Sequence, residues 1–247
     1  MSGSIPQYTI KKLVRDIREL IKTPLNDNGI YYIHDENNML KGRALIIGQP
    51  NTPYFGGSYL FHLDYPVDYP YVPPKVSFYT NGNNVRFHPN LYKNGKVCLS
   101  VLNTWYGDQW SSCQSISTIL LTLVSILTKN PLVHEPGRDF RDPDFYQYTQ
   151  IVEFANLDIA IGDMVSTTPD TFIMFRQHII DNFMSNFNNL IRVVEDLQIQ
   201  FPIPITVSVI IYEMTYQIDY TLLLTKLKTL HSKHMPTLTT TNESYED

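Results

Sequence analysis

The 247-residue chain is long enough for one catalytic domain of ordinary size plus an extension, and two compact domains are possible but not needed. With 43% hydrophobic and 17% charged residues, 12 Phe and 17 Tyr, its composition is that of a globular protein and excludes a disordered one. The formal net charge of -5, with Lys and Arg in small scattered groups, argues against nucleic acid as a partner, because a phosphate backbone calls for a broad basic face.

In chain order, residues 10–22 place Leu13, Val14, Ile17, Leu20 and Ile21 at helical spacing, with Lys11, Lys12, Arg15, Arg18 and Lys22 on the other side. This spacing predicts an amphipathic first helix with a basic outer face. Residues 42–48, 57–63 and 75–80 read as strands, each bounded by Gly, Pro or Asn, and their short connections make an antiparallel meander. Between the last two, Pro66, Pro70, Pro73 and Pro74 fix φ and remove backbone donors, which makes a rigid extended loop. Residues 85–107 have little periodicity yet hold most of the unusual chemistry. Residues 115–129, SISTILLTLVSILTK, are apolar almost all round, with Ser115 suited to cap a central buried helix. Pro131 and Pro136-Gly137 end it. Residues 144–164 and 171–200 read as long amphipathic helices and 218–231 as a shorter one. The Thr-rich, acidic residues 236–247 read as a mobile tail.

Only two cysteines occur, Cys98 and Cys113, in neither a CxxC pair nor a disulfide framework, so reduced thiols are expected. The N-terminal sequence lacks the apolar run of a signal peptide, and no stretch approaches the ~20 apolar residues of a membrane span. The expectation is a soluble protein of the cytoplasm, the nucleus or both, without a membrane partner.

Two stretches, PNTPYFGGSYLFHLDYPVDYPYVPPKVSF and FHPNLYKNGKVCLSVL, carry a TPYxGG turn, a proline loop, an HPN tripeptide, and a cysteine eight residues after the Asn of HPN. In that order they resemble the ubiquitin-conjugating enzymes, over residues from the first helix to about Gly137. VCLSVLNTWYGDQW and NPLVHEPG are similar to a narrower, divergent branch that includes the ubiquitin-loading inhibitor-of-apoptosis giant and the enzymes charged by the alternative activating enzyme. DFYQYTQIVEFANLDIAIGDM and IDYTLLLTKL carry a weaker likeness to the segments that follow in that branch.

The resemblance implies an α+β ubiquitin-conjugating fold: an N-terminal helix, a four-stranded antiparallel meander whose fourth strand is not legible from the residues, a central helix, and a helical C-terminal extension. It divides the chain into a catalytic core at 1–150, an extension at 151–235 and a tail at 236–247. It implies ubiquitin or a ubiquitin-like protein carried as a thioester on Cys98, with an activating enzyme, a ligase and a protein substrate as partners. No cofactor or metal of the chain's own is implied, since ATP is spent by the activating enzyme.

A thiolate at Cys98 exchanges one thioester for another, and a lysine amine then attacks the carbonyl. By resemblance, Asn90 steadies the resulting oxyanion, and His88 holds the HPN turn by its ring hydrogen bonds instead of acting as a base. This reading leans on the Cys98 sulfur lying in a shallow groove that reaches solvent. The bland alternative for Cys98 is a small buried hydrophobe. Cys113 has no such company and reads as incidental, and a zinc site from Cys98, Cys113, His88 and His134 lacks the usual close ligand pairs. Two departures from the family bear on reactivity: Ser100 replaces an acidic residue, and Asn130 replaces an acidic gate that positions and deprotonates the incoming lysine. Ser100, Asp108, His134 and Glu135 are candidates to compensate. Trp110 is read as the family tryptophan and Trp105 as part of an inserted loop. Arg15, Arg18, Tyr71 and Ser112 are the implied contacts with the activating enzyme and ligase. The rivals are a non-catalytic module that binds ubiquitin or a partner, and an unrelated thiol enzyme such as a cysteine protease.

Overall fold

A computed structural model of the chain describes residues 4–80, 82 and 85–235. The first helix forms as α1, Gln7–Lys22, and buries Leu13. Lys12 departs from the expected basic face. It turns inward, 6% exposed, and donates to Asp16 Oδ1 and to the Gln114 carbonyl, each at 2.7 Å. An ammonium removed from water needs such a carboxylate, and Asp16 also accepts from the Tyr69 hydroxyl at 2.5 Å. One buried knot thus joins α1, the proline loop and the segment before the central helix.

The strand missing from the sequence reading is β1 (Ile30–His34), and the three legible ones form as β2 (Lys41–Ile47), β3 (Ser58–Asp64) and β4 (Lys75–Phe78). They make an antiparallel meander in the order β1-β2-β3-β4. Register sorts the side chains by face. Ile30, Ile46 and Tyr59 share one face with Ala44, Phe61 and Phe78, whereas Tyr31, Leu45 and Leu60 share the other. The first face is buried in a cluster that includes Ile116, Ile119, Leu120 and Leu123 of α2 (Ile116–Ile126). Ser115 and Thr118 close the expected N-terminal cap of α2 as a capping box.

Beyond α2 the extension is helical, as expected, and carries one further element. The helix read at 144–164 begins as α3 (Phe145–Ala155), widens to a π-helix at Asn156–Asp163 and resumes as α4 (Met164–Ser166). A 3-10 turn at Asp170–Phe175 leads into α5 (Arg176–Gln200). A hairpin then follows, β5 (Ile205–Val209) with β6 (Met214–Ile218), and only afterwards α6 (Tyr220–His234). The hairpin fills the unassigned residues between the helices read at 171–200 and 218–231: Val207, Val209, Met214 and Ile218 are buried in alternation, the period of a strand. Residue 150 lies inside α3. The tail read at 236–247 lies outside the described residues.

The extension closes the second face of the sheet. The His178 ring of α5 packs at a tilt against Tyr31 at 4.4 Å, Phe172 meets Tyr79 at 5.0 Å, and Leu45 and Leu60 are fully buried, each contributing about 1.5–3 kcal/mol. Asn156 of the π-helix accepts from the Tyr59 hydroxyl at 2.6 Å and donates to the Phe55 carbonyl at 2.9 Å. Gly57 makes room for this contact, since a Cβ there would sit 1.9 Å from Asn156 Oδ1.

Candidate active site

The segment from His88 to Cys98 is a loop that folds on itself. Leu91 bridges to both His88 and Val97, and the Tyr92 N–H donates to the Lys96 carbonyl at 2.9 Å. Gly95, at φ +84°, turns the chain where a side chain would be strained. Its carbonyl accepts from the Phe78 N–H at 2.8 Å, so the loop hangs from edge strand β4. Across it, Asn90 and Cys98 are tied twice. The Cys98 N–H donates to the Asn90 carbonyl at 2.9 Å, and the Asn90 side-chain amide donates to the Cys98 carbonyl at 2.6 Å. An amide nitrogen carries two hydrogens, so this bond leaves one for another acceptor.

Cys98 is not open to solvent in a shallow groove, as expected; it is 2% exposed, and Asn90 is 5% exposed. The chain that follows turns back on itself. Ser100–Leu102 forms a 3-10 turn, and Thr104 turns back to bond Leu99 through both its N–H and its hydroxyl. Gly107 of the inserted loop packs on Ser100, where an added Cβ would lie 3.2 Å from the serine Cβ. A cleft of about 700 Å³ runs between the proline loop and residues 94–97, walled by Val97, Leu102 and Thr104, and Cys98 is not among its lining residues.

His88 is fully buried, and its Nδ1 accepts the Asn90 N–H at 3.0 Å, which places the ring proton on Nε2. Burial pushes its ionisation well below the ordinary imidazole range, and the positive charges of His134 and Arg86 push the same way. A neutral ring whose lone-pair nitrogen is engaged is a brace for the turn. The His134 ring stands edge-on to it at 4.9 Å, and His134 Nε2 pairs with the Thr128 hydroxyl at 3.1 Å.

The family model described as "Ubiquitin-conjugating enzyme" matches residues 12–153, more than half of the chain. The chain belongs to the ubiquitin-conjugating enzyme family. Ubiquitin-conjugating enzyme E2 Z of Xenopus tropicalis is 35% identical over 233 residues, covering 91% of this chain and 71% of that protein. That alignment runs well past residue 153, into the extension. The human E2 Z is 44% identical over 163 residues, 65% of this chain and 45% of the relative. The human dual E2 ubiquitin-conjugating enzyme/E3 ubiquitin-protein ligase BIRC6 is 42% identical over 123 residues, 46% of this chain and 2% of that protein. The chain thus spans less than half of the human E2 Z it matches.

The remaining expected residues are placed as follows. Arg15, Arg18 and Ser112 are exposed, and Tyr71 is 68% exposed, edge-on to Tyr8 at 5.3 Å. The buried Lys12 bond to Gln114 brings α1 beside the Ser112 segment, so these four belong to adjoining elements. Trp110, by contrast, is 8% exposed, with Nε1 donating to the Pro70 carbonyl at 2.6 Å: it clamps the proline loop. Of the compensating candidates, Asp108 is exposed in the inserted loop, and Glu135 accepts from the Tyr212 hydroxyl at 2.6 Å, engaged by the extension. Asn130, half-buried, precedes the 3-10 turn Pro131–His134 without capping it through its side chain. Cys113 is exposed, and among the described residues no group of three or more His, Cys, Asp or Glu is placed to hold a metal.

The sequence reading missed Arg86. Its guanidinium donates to the Pro89 carbonyl and lies between the rings of Tyr92, at 3.8 Å, and Tyr212, at 4.2 Å. No spacing rule ties an arginine just before HPN to a tyrosine more than a hundred residues later.

Proposed function

We propose that this chain accepts ubiquitin, or a ubiquitin-like protein, from an activating enzyme as a thioester on Cys98 and passes it to a lysine amine of a protein substrate, with a ligase as partner. The Cys98 thiolate attacks the activating enzyme's thioester carbonyl, and the enzyme's own thiolate leaves. A lysine amine then attacks the new thioester, loses a proton, and expels the Cys98 thiolate as the isopeptide bond forms. The observation that carries this reading is the double tie between Asn90 and Cys98, which holds an amide donor beside the thiol's own backbone. The amide's second hydrogen is free to meet the oxyanion, a role that elsewhere contributes roughly two to three powers of ten in rate.

In this reading residues 1–150 supply the chemistry and 151–235 support it. His88 acts as a brace, Arg15, Arg18, Tyr71 and Ser112 meet the activating enzyme and ligase, and Ser100, Asn130 and Trp110 shape the surroundings. No cofactor or metal takes part. The thiol chemistry suits a reduced compartment, cytoplasmic or nuclear.

The test is incubation with ATP, ubiquitin and an activating enzyme, read on a non-reducing gel and by intact mass. A thiol-sensitive adduct absent from Cys98→Ser is expected. Asn90→Ala should load and then discharge to lysine about 100-fold more slowly. Absence of any adduct on the wild-type chain, given the burial of Cys98, would leave a non-catalytic binding module as the reading.

A further inference from the structure

The peptide unit joining Pro89 to Asn90 is pinned at both ends. Its carbonyl accepts from the Arg86 guanidinium, and its N–H donates to His88 Nδ1. Because a peptide is planar and the proline fixes φ on its near side, two anchored ends set the position from which the Asn90 side chain springs. The His88 anchor is internal to the turn. The Arg86 anchor depends on the extension.

Arg86 is held by its two flat faces, Tyr92 on one and Tyr212 on the other, and a stacked guanidinium has little freedom to swing its donors away. Its own N–H is directed at Met214 Sδ of β6, at 3.1 Å. Tyr212 is itself fixed. Its hydroxyl donates to Glu135 Oε2, its carbonyl accepts from Lys93 Nζ at 2.9 Å, and its ring meets Tyr148 at 5.5 Å. The turn that carries it is seated by Asp144, whose buried Oδ2 accepts the N–H groups of Ile210 and Ile211 at 3.0 and 2.9 Å.

We infer that Arg86, clamped by Tyr212 of the extension, is a positioning residue for the transfer step: through Pro89 it sets the Asn90 amide that meets the oxyanion. The inference rests on the thioester reading above. The hairpin of the extension is then part of what makes the discharge fast, although no atom of it touches the reacting groups.

The test uses the full chain and measures loading of Cys98 separately from single-turnover discharge to free L-lysine at several lysine concentrations. Tyr212→Ala and Arg86→Lys should lower the plateau discharge rate about tenfold, a fraction of what loss of the Asn90 donor removes, and alter loading by less than about twofold. The half-saturating lysine concentration should stay put. Tyr212→Phe keeps the ring under the guanidinium and should discharge within about twofold of wild type. In an Asn90→Ala background, Tyr212→Ala should add nothing, because its effect passes through that side chain. Equal loss in loading and discharge, a full additive loss on top of Asn90→Ala, or unchanged discharge would each overturn the inference. Should Tyr212→Ala fail to fold, Tyr212→Leu keeps apolar bulk without a ring face and gives the same readout. Failure of the wild-type chain to load at all refutes the thioester reading itself, a different result from any of these.

Discussion

Replacing Asp16 by Ala should be among the most damaging single changes available outside the apolar core. The carboxylate is 1% exposed and the Lys12 ammonium 6% exposed, so neither has water to fall back on. Without Asp16, Lys12 keeps, among the described residues, only the Gln114 carbonyl and the Tyr69 ring, 5.9 Å away. Stranding one member of a buried pair costs about 3–5 kcal/mol. At about 2–4 °C per kcal/mol for a chain of this length, the melting temperature should fall by about 6–20 °C. Tyr69→Phe removes a single hydrogen bond to a charged acceptor, 2.5 Å in length, and should cost about 1.5–3 kcal/mol. The double change Lys12→Met with Asp16→Leu removes both charges and should recover most of the loss, since apolar replacement of a buried pair is often neutral or better. Thermal melts of the four proteins at neutral pH decide the matter. A shift under about 1 kcal/mol for Asp16→Ala, the value of an exposed pair, would refute the reasoning, as would a double change no better than the single one.

Asp144→Ala should free the hairpin turn by removing two charge-assisted bonds, at about 1.5–3 kcal/mol each, and faster hydrogen exchange at the Ile210 and Ile211 amides is the check. His88 is held neutral by burial in the folded chain, while the unfolded chain takes up a proton as pH falls through about 6.5; stability should therefore drop below that pH, by up to about 1.4 kcal/mol per unit from this group, and recover above it. His88→Asn keeps an acceptor for the Asn90 N–H and should flatten that slope in melts at pH 7.5, 6.5 and 5.5, and an unchanged slope would count against the assignment. Gly57→Ala should destabilise by forcing its Cβ into Asn156 Oδ1, 1.9 Å away, and Asn156→Gly in the same chain should restore part of the loss in urea titrations.

Local signals made the first helix, three strands, the proline loop and the capped central helix legible, because each carries its own period or punctuation. β1 escaped since IYYIH is short and mixes buried, half-buried and exposed positions without clean alternation. The continuous apolar runs ALII and YLF are accounted for by the extension, which covers a sheet face that would otherwise meet water. The hairpin at Ile205–Val209 and Met214–Ile218 escaped because residues 201–217 carry no assignment between the helices read at 171–200 and 218–231, and its two strands are only five residues each. At the site, HPN and the cysteine spacing named Asn90 and Cys98, yet burial of the thiol was not readable from either. Burial of a single side chain depends on tertiary packing, and the non-periodic residues around Cys98 carry no pattern that reports it.

The two segments that flank Cys98 in the sequence are bonded very differently. On one side, the Asn90 segment is tied to β4, to His88, to Arg86 and through Tyr212 to the extension, contacts reaching from residue 78 to residue 212. On the other, residues 103–109 are held by bonds of short sequence range: Thr104 to Val97 and Leu99, Gln109 to Trp105 and Gly107, and the Trp110 N–H to Asn103. Tyr106 at its tip is 88% exposed. Segments with few buried apolar contacts and exposed local hydrogen bonds open at the lowest free energy. Local opening is therefore cheapest in the inserted loop, whereas the Asn90 amide stays where the long-range ties hold it. In the thioester reading proposed above, that anchoring keeps the oxyanion donor in place whatever the inserted loop does.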